Sequence, residues 1–331
     1  MTEKKFDVVG IGNAIVDVLT HSEDSFLKEH NLTKGSMTII DGKTAEKLYN
    51  LMDTSVEISG GSAANTIASL TAIGGSGAFI GKVCQDQLGN VFTSDIRQVG
   101  VTYDTLPNME GAPTARCLIY VTPDAERTMQ TFLGACTSLS PNDIDENIIA
   151  ASKIIYLEGY LFDPPEAKAA FIKACQLAKK ANRKVALSLS DPFCVDRHRE
   201  AFIDLVINHV DILFSNEDEI KSLFQVSSVD SVLQKIKGKC DVAALTRGAQ
   251  GSVIVDGEKI CVLPAEEINN VVDTTGAGDA YAAGFLYGLT QNKPIEECGR
   301  IAGVLAADII SNYGARSKNN LKVILSERLR G

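Results

Sequence analysis

The chain has no tryptophan, and aromatic residues make up only 6% of it. That composition fits poorly with a protein that reads single-stranded nucleic acid by stacking bases. A basic run is also missing, and the formal net charge is −10, which argues against non-specific nucleic-acid binding. Histidine is scarce: His21, His30, His198 and His209 all lie outside the glycine-rich motifs, so histidine-based catalysis or metal ligation is a poor fit. The eight cysteines include no C-x-x-C pair, which leaves no basis for a structural zinc or a redox dithiol and makes reduced thiols in a cytoplasm the default. No apolar run approaches ~18 residues, and the start, Met1 to Asp7, lacks the apolar region of a signal peptide. The expectation is a cytoplasmic protein with neither membrane nor nucleic-acid partners.

What is present is the makings of a core. With 331 residues, 45% hydrophobic and 22% charged, the chain can fold as one large α/β domain with an appendage, or as two modest domains. Phe6 to Gly12 reads as a buried opening strand. After residue 150, extended apolar runs at 153–158, 184–190, 210–215 and 242–246 alternate with helical patterns at 166–181, 198–207, 217–224 and 229–237. This is the rhythm of a doubly wound, mostly parallel sheet flanked by helices. Residues 252–257 and 260–263 add an edge hairpin, and helices at 277–289 and 295–312 close the chain. Two stretches break the rhythm. Residues 18–47 are mixed, with a short extended patch at 36–40. Residues 101–134 alternate as short strands, 115–121 and 127–133, around a Pro123-Asp124 turn. Together these predict a small discontinuous β-sheet lid (18–47 and 101–134). The large domain then comprises 1–17, 48–100 and 135–331.

The chemistry concentrates in glycine turns. Asp273-Thr274-Thr275-Gly276-Ala277-Gly278-Asp279 follows the β-branched run Ile268 to Val272 and opens an apolar stretch, so it reads as strand, tight turn and helix start. Backbone N–H groups of Gly276, Ala277 and Gly278 at a helix N-terminus form a natural anion site. Asp279 beside that site is either a proton acceptor for a hydroxyl attacking phosphorus or an ordinary N-terminal acid stabilising the helix dipole. A second turn, Ser59-Gly60-Gly61-Ser62-Ala63-Ala64-Asn65, also opens a helix, in which Asn65 has no structural need. Asn13 and Asp17, at or just past the end of the first strand, face either a ligand crevice or an ordinary turn. Two nucleotide-binding fingerprints are ruled out. Gly10-x-Gly12 has Ile15 in place of the third glycine of a dinucleotide fold, and Gly81-Lys82 is flanked by Ser76 and Val83, which no P-loop allows.

Taken together, these motifs resemble those of the ribokinase-like (PfkB) family of carbohydrate and nucleoside kinases. The resemblance rests on the Gly60-Gly61 turn with its Asn65 helix, the Asp273–Asp279 turn, Asn216-x-x-Glu219 after an apolar strand, and Thr246-x-Gly248. Their order spans nearly the whole chain. Within the family, Gly12 to Asp17, Leu187 to Phe193 and Val210 to Glu217 are similar to the adenosine kinases. Thr275 stands where the animal enzymes tend to carry Asn, and the stretch after Gly74 lacks their longer insertion, as a bacterial-type relative would show.

The resemblance implies ATP-dependent phosphorylation of a nucleoside 5′-hydroxyl, adenosine to AMP in purine salvage, by direct in-line attack. In that scheme Asp17, Gly61, Asn65 and Asn13 hold the ribose side of the substrate, and Asp279 takes the proton. The 276–278 amides stabilise the moving phosphoryl charge, and Arg127 closes over the phosphates. Thr246, Gly248, Thr275 and Asn216 meet ATP, while Asn216 and Glu219 order Mg²⁺ through water. Ile15, Met37, Ile39, Met129, Leu133 and Phe193 line the nucleobase site, or are simply core residues. A monovalent cation near Asp273 and the 312–317 loop stays open, as does a dimer through the small sheet against the favoured monomer. The competing functions are a kinase of a free sugar such as fructose or ribose, a kinase of another nucleoside, and a catalytically silent sensor on the same fold.

Overall fold

The computed structural model describes residues 5–329 except 53, 125 and 163. Fourteen strands are found among the described residues: β1 (Phe6–Ile11), β2 (Ile15–His21), β3 (Met37–Ile39), β4 (Val56–Gly60), β5 (Gly77–Ile80), β6 (Thr102–Tyr103), β7 (Ala115–Val121), β8 (Arg127–Phe132), β9 (Ser152–Glu158), β10 (Lys184–Ser188), β11 (Ile212–Asn216), β12 (Val242–Thr246), β13 (Ser252–Asp256) and β14 (Lys259–Leu263). Nine form one sheet in the order β14-β13-β12-β11-β10-β9-β1-β5-β6, parallel from β12 to β6 with an antiparallel hairpin, β13 and β14, at the far edge. Both faces of this sheet are buried, which explains the unbroken apolar runs in its strands. Val8, Ile154, Tyr156, Ile212 and Phe214 point into one core layer with helices Ser62–Ala72, Ala277–Thr290 and Ile295–Ile310. Val9, Ile155, Leu157, Val185 and Leu213 point into the other, under helices Pro165–Lys180, Pro192–Asn208, Glu217–Phe224 and Val229–Ile236.

The chain runs from β1 outward through β5 and β6, then returns to the other side of β1 with β9. The strand order therefore reverses between β1 and β9. In open α/β sheets, crevices at the carboxyl ends of strands on either side of such a reversal receive ligands.

The remaining strands form a second sheet, β3-β8-β7-β2-β4. Its alternation is that of a sheet covered on one side. Val16, Val18, Leu118 and Tyr120 are buried in the same layer as Leu27 and Leu48 of helices Asp24–Glu29 and Gly42–Tyr49. The Tyr120 ring lies 5.1 Å from Phe26, and its hydroxyl donates to the Leu48 carbonyl at 3.2 Å.

Sheet membership departs from the expected boundaries in three places. Asp17 is not at the end of β1 but in the middle of β2, in the small sheet. β4, assigned by sequence to the large domain, pairs antiparallel with β2, and β6, assigned to the lid, pairs with β5 in the large sheet. The physical reason is that the glycine turn at Gly60-Gly61 must start in the small sheet so that the Ser62 helix can cross to the large one. A strand was also expected at 268–272, before the second glycine turn, and none forms. Val271 is exposed, and the Val272 and Asp273 N–H groups donate to the Ile310 carbonyl at 2.7 and 3.3 Å. The segment's amides bond to the end of a helix, so its β-branched residues pair with no strand. The helix expected to begin at 198 starts at Pro192, capped by Asp191, and is kinked at His198.

Candidate active site

The carboxyl ends of the parallel strands and the uncovered face of the small sheet meet around Asp279. This residue lies in the first turn of the Ala277–Thr290 helix, whose N-cap, Gly276, has a φ of 77°. A side chain at Gly276 would strike Ala315, its Cβ falling 2.7 Å from the Ala315 Cα, so the turn and the 312–317 loop are packed against each other. Ala277 N–H donates to the Thr274 carbonyl at 3.2 Å. Contrary to expectation, that amide is used inside the turn. Among the described residues, Gly276 and Gly278 N–H have no such backbone acceptor, and nothing lies within 4 Å of where a Gly278 Cβ would be. These two amides, with the helix dipole behind them, are the donors the turn leaves free for an anion.

Asp279 Oδ1 accepts from Ser62 Oγ at 2.6 Å, across 217 residues of sequence. The two glycine turns are thus joined side chain to side chain. Burial raises the Asp279 carboxyl from 3.8 to about 6, against hydrogen bonds from Ser62 and Asn65 and the charge of Arg316. Asp17 is likewise brought to about 6 by burial, opposed by Arg316 and Arg127 and reinforced by the neighbouring Asp279 charge. A carboxylate near 6 is ionised at neutral pH yet retains appreciable basicity, which suits a proton acceptor.

Gly61 caps the Ser62–Ala72 helix with a φ of 97°, and a Cβ there would lie 2.1 Å from the Asn13 carbonyl oxygen. Only glycine fits that close crossing. Asn13 is buried and donates through Nδ2 to Glu158 Oε1 at 2.7 Å, while Glu158 Oε2 accepts from Ala63 N–H at 2.8 Å. Glu158, at the end of β9, therefore ties the end of β1 to the helix that carries Asn65. Burial lifts its carboxyl to about 7.

On the small sheet, the register aligns Ile15 and Asp17 of β2 with Ala115 and Cys117 of β7, and Met129 and Thr131 of β8 with Met37 and Ile39 of β3. Because β7 pairs Cys117 with Thr131 and Ile119 with Met129, one face carries Ile15, Asp17, Met37, Ile39, Met129 and Arg127. Six strand residues read from the sequence as site residues thus share the face that the helices leave open, and Met37 and Ile39 on it are 49% and 57% exposed. Leu133 follows directly on the end of β8, half-buried. Phe193 stands apart from this sheet, in the first turn of the helix after β10, and is 72% exposed.

Arg127 pairs with Asp273 at 3.1 Å, linking the small sheet to the anion turn, and its guanidinium carbon lies 6.0 Å from the centre of the Tyr313 ring. Asp273 also accepts from Thr275 N–H at 3.0 Å and Gly314 N–H at 2.9 Å. Both its oxygens are engaged, and Arg127 already balances its charge.

Asn216 and Thr246 are register partners at the ends of β11 and β12, and Gly248 follows with a φ of 55°. Asn216 Oδ1 accepts from Glu219 N–H at 2.9 Å, and Glu219 accepts from Asn216 N–H at 2.9 Å and from Asn216 Nδ2 at 2.6 Å. The pair is a capping box. Its oxygens are already occupied, so only the remaining lone pairs of the buried Glu219, whose carboxyl burial raises to about 7, are open towards a hydrated metal. Among the described residues, no cluster of three or more His, Cys, Asp or Glu side chains could hold a metal directly. The donor set fits a magnesium ion bound chiefly by phosphates and reached through water, not one caged by protein.

Several residues of the cluster were missed from sequence: Ser62, Asp95, Glu158 and Arg316. Ser62 stood inside a motif that drew attention only to its glycines and Asn65. The others are single charged residues in apolar or loop contexts, where no local pattern marks them.

An α/β sheet with two glycine turns joined at its reversal point, a helix N-terminus beside a basic carboxylate and a second sheet tied to both define a ribokinase-like kinase. The pfkB family carbohydrate kinase profile matches residues 30–322. The chain belongs to that family. Adenosine kinase from Saccharomyces cerevisiae is 25% identical over 331 aligned residues, covering 93% of this chain and 95% of the yeast protein. The crystal structure of adenosine kinase from Sinorhizobium meliloti is 44% identical, with a TM-score of 0.89 over 99% of this chain and all (100%) of that one. A probable sugar kinase from Rhizobium etli is equally close, 44% identical with a TM-score of 0.90 over 98% of both chains. No helix among the described residues is long and apolar enough to cross a membrane.

Proposed function

We propose that this kinase transfers the γ-phosphoryl group of Mg·ATP to the 5′-hydroxyl of a nucleoside, adenosine first, giving AMP and ADP. The observation that carries this reading is the juxtaposition of Asp279 and the Gly276–Gly278 anion turn with an uncovered sheet face on which apolar Met37, Ile39, Met129 and Ile15 surround Asp17. A planar, largely apolar base matches the exposed methionine and isoleucine surface, whereas a free sugar would leave it unused. The 44% identity to the Sinorhizobium meliloti adenosine kinase supports the same choice.

In this scheme Asp17, Asn65 and Asn13, held by Gly61 and Glu158, grip the ribose. Asp279 accepts the 5′-hydroxyl proton as the oxygen attacks phosphorus. A new O–P bond forms in line while the bond to the β-phosphate oxygen breaks, and ADP leaves. Gly276 and Gly278 N–H stabilise the charge of the moving group, and Arg127 shifts from Asp273 to the phosphates. Thr246, Gly248 and Thr275 meet the nucleotide. Magnesium, ordered through water by Glu219, neutralises phosphate charge when bound. Closure of the small sheet over the acceptor excludes water and limits wasteful ATP hydrolysis.

A sugar acceptor is the second reading, favoured by the Rhizobium etli protein described as a probable sugar kinase. The deciding experiment is an ADP-release assay with Mg·ATP against adenosine, guanosine, inosine, cytidine, ribose and fructose. Efficient turnover of adenosine over both sugars supports the nucleoside reading, and a preference for ribose or fructose replaces it.

A further inference from the structure

Arg316 reaches both halves of the acceptor site from behind. It follows Ala315, the residue seated against Gly276. Its Nε donates to Asn65 Oδ1 at 3.0 Å, and its Nη1 donates to Asp95 Oδ2 at 3.0 Å. The same Asp95 oxygen accepts from Ser59 N–H at 2.9 Å and from the Ser59 hydroxyl, which anchors the arrangement to β4 of the small sheet. Asn65 and Asp95, from two different helices, thus hold one guanidinium, with Ser59 bracing Asp95.

Two consequences follow from that geometry. First, the Asn65 amide is fixed: with its oxygen on Arg316, its Nδ2 is the end turned to the Asp279 carboxyl, which it helps keep ionised. Second, the guanidinium is only partly satisfied. Nη2 is buried and has no hydrogen-bond partner, although Asp17 and Asp279 both lie within electrostatic range. A buried arginine nitrogen with no acceptor is costly, and native structures retain such a group chiefly where a ligand or water completes it. In a guanidinium Nη2 shares an edge with Nε, so its N–H groups sit beside the contact with Asn65.

We propose that Arg316 determines acceptor specificity, by locking the Asn65 amide and by donating from Nη2 to a sugar hydroxyl held beside Asn65 and Asp17. The chain then selects a ribo-configured acceptor because an analogue lacking that hydroxyl leaves Nη2 buried and unpaired. The inference rests on the nucleoside reading above and adds the residue that enforces the hydroxyl pattern.

The test measures kcat/KM for adenosine, 2′-deoxyadenosine and 3′-deoxyadenosine with the wild-type enzyme, Arg316→Met and Arg316→Lys. Wild type is expected to disfavour at least one deoxy analogue by on the order of 10²-fold. In Arg316→Met that discrimination falls below about tenfold, because adenosine loses activity while the matching deoxy analogue loses little. Arg316→Lys, which keeps the charge but not the planar fork, is also expected to lose discrimination. The acid limb of kcat/KM adds a readout that a purely structural role would not move. Asp279 faces Arg316, Asp17, Glu158, Tyr156, Tyr160, Ser62 and Asn65. Removing the one positive charge among them moves the limb to higher pH in Arg316→Met, and Arg316→Lys keeps it near the wild-type position. Equal losses on all three nucleosides, with an unmoved acid limb, would assign Arg316 to structure alone and overturn the proposal. Should Arg316→Met fail to fold, unaltered discrimination in a folded Arg316→Lys would overturn it as well. If wild type turns over none of the three nucleosides, the nucleoside reading falls and takes this inference with it. Turnover of adenosine with unchanged discrimination in the variants removes the inference alone.

Discussion

Replacing Asp279 by Asn should damage catalysis and at the same time stabilise the fold. The substitution conserves shape, and the new side-chain oxygen can still accept from Ser62 Oγ, 2.6 Å away in the wild type. What disappears is a buried charge that sits near Asp17 and Glu158. Loss of the proton acceptor should lower kcat by roughly 10²–10⁴-fold while nucleoside binding changes little. The stability effect follows from the carboxyl being raised from 3.8 to about 6 by burial. The folded state then holds a proton that the unfolded chain releases, so wild-type stability declines as pH rises from about 4 to about 6. At one pKa unit per 1.36 kcal/mol, ionised Asp279 costs at most ~3 kcal/mol above that range. The Asp279→Asn variant escapes the cost, but its new amide must face the Asn65 Nδ2 that Arg316 holds in place, which takes back part of the gain. The expected net is ~1–2 kcal/mol in favour of the variant at pH 8, shrinking towards zero at pH 4. Urea denaturation across that pH range, alongside ADP release at saturating substrate, measures both effects. Near-normal turnover would remove Asp279 from the proton-accepting role. A variant no more stable than wild type at pH 8 would refute the electrostatic argument, whatever the turnover.

Other perturbations separate the two ligand ends and the scaffold. Asn65→Ala should weaken nucleoside binding more than ATP binding by calorimetry, since Asn65 joins Arg316 to Asp279 and not to the nucleotide side; an effect on ATP alone would reverse the assignment. Gly61→Ala should raise KM for the acceptor and cost ~2 kcal/mol or more in urea denaturation, because its φ of 97° and the Asn13 carbonyl leave no room for a Cβ; normal KM and stability would contradict the close crossing. Glu158→Ala leaves Asn13 Nδ2 and Ala63 N–H unpaired at the strand reversal. Its cost should be ~2–4 kcal/mol together with a weaker acceptor KM, and a stable variant with unchanged KM would show that Glu158 positions nothing.

Much of the fold was legible because burial on both faces writes itself into a strand as a continuous apolar run. Strands β9 to β12 and their helices follow from that pattern to within a few residues, except that the helix read as starting at 198 begins at Pro192. β2 escaped notice although its burial alternates, with Val16 and Val18 inward, because apolar Ile15 and Leu19 share the outward face with Asp17 and blur the apolar/polar pattern. The segment before Asp273 misled in the opposite direction: its β-branched residues read as a strand, but its amides bond to the end of the Ile295–Ile310 helix instead of to a neighbouring strand. In the site, glycines announced themselves because close backbone approach admits no substitute, as at Gly61 and Gly276. Arg316 and Glu158 did not. Each acts through partners more than 90 residues away in sequence, Asn65 and Asp95 for one, Asn13 and Ala63 for the other, and local sequence carries no trace of such pairings. Asn216 and Glu219 were read as magnesium-ordering residues, but most of their hydrogen-bonding capacity is spent on capping the helix they begin.

The choice of acceptor is tested most directly by competition. Adenosine, guanosine, inosine, cytidine, ribose and fructose are offered together at equal concentration with limiting Mg·ATP, and the phosphorylated products are separated and identified by mass spectrometry. The expected dominant first product is 5′-AMP. A sugar phosphate as the main product, with adenosine left unconverted, would contradict the nucleoside assignment.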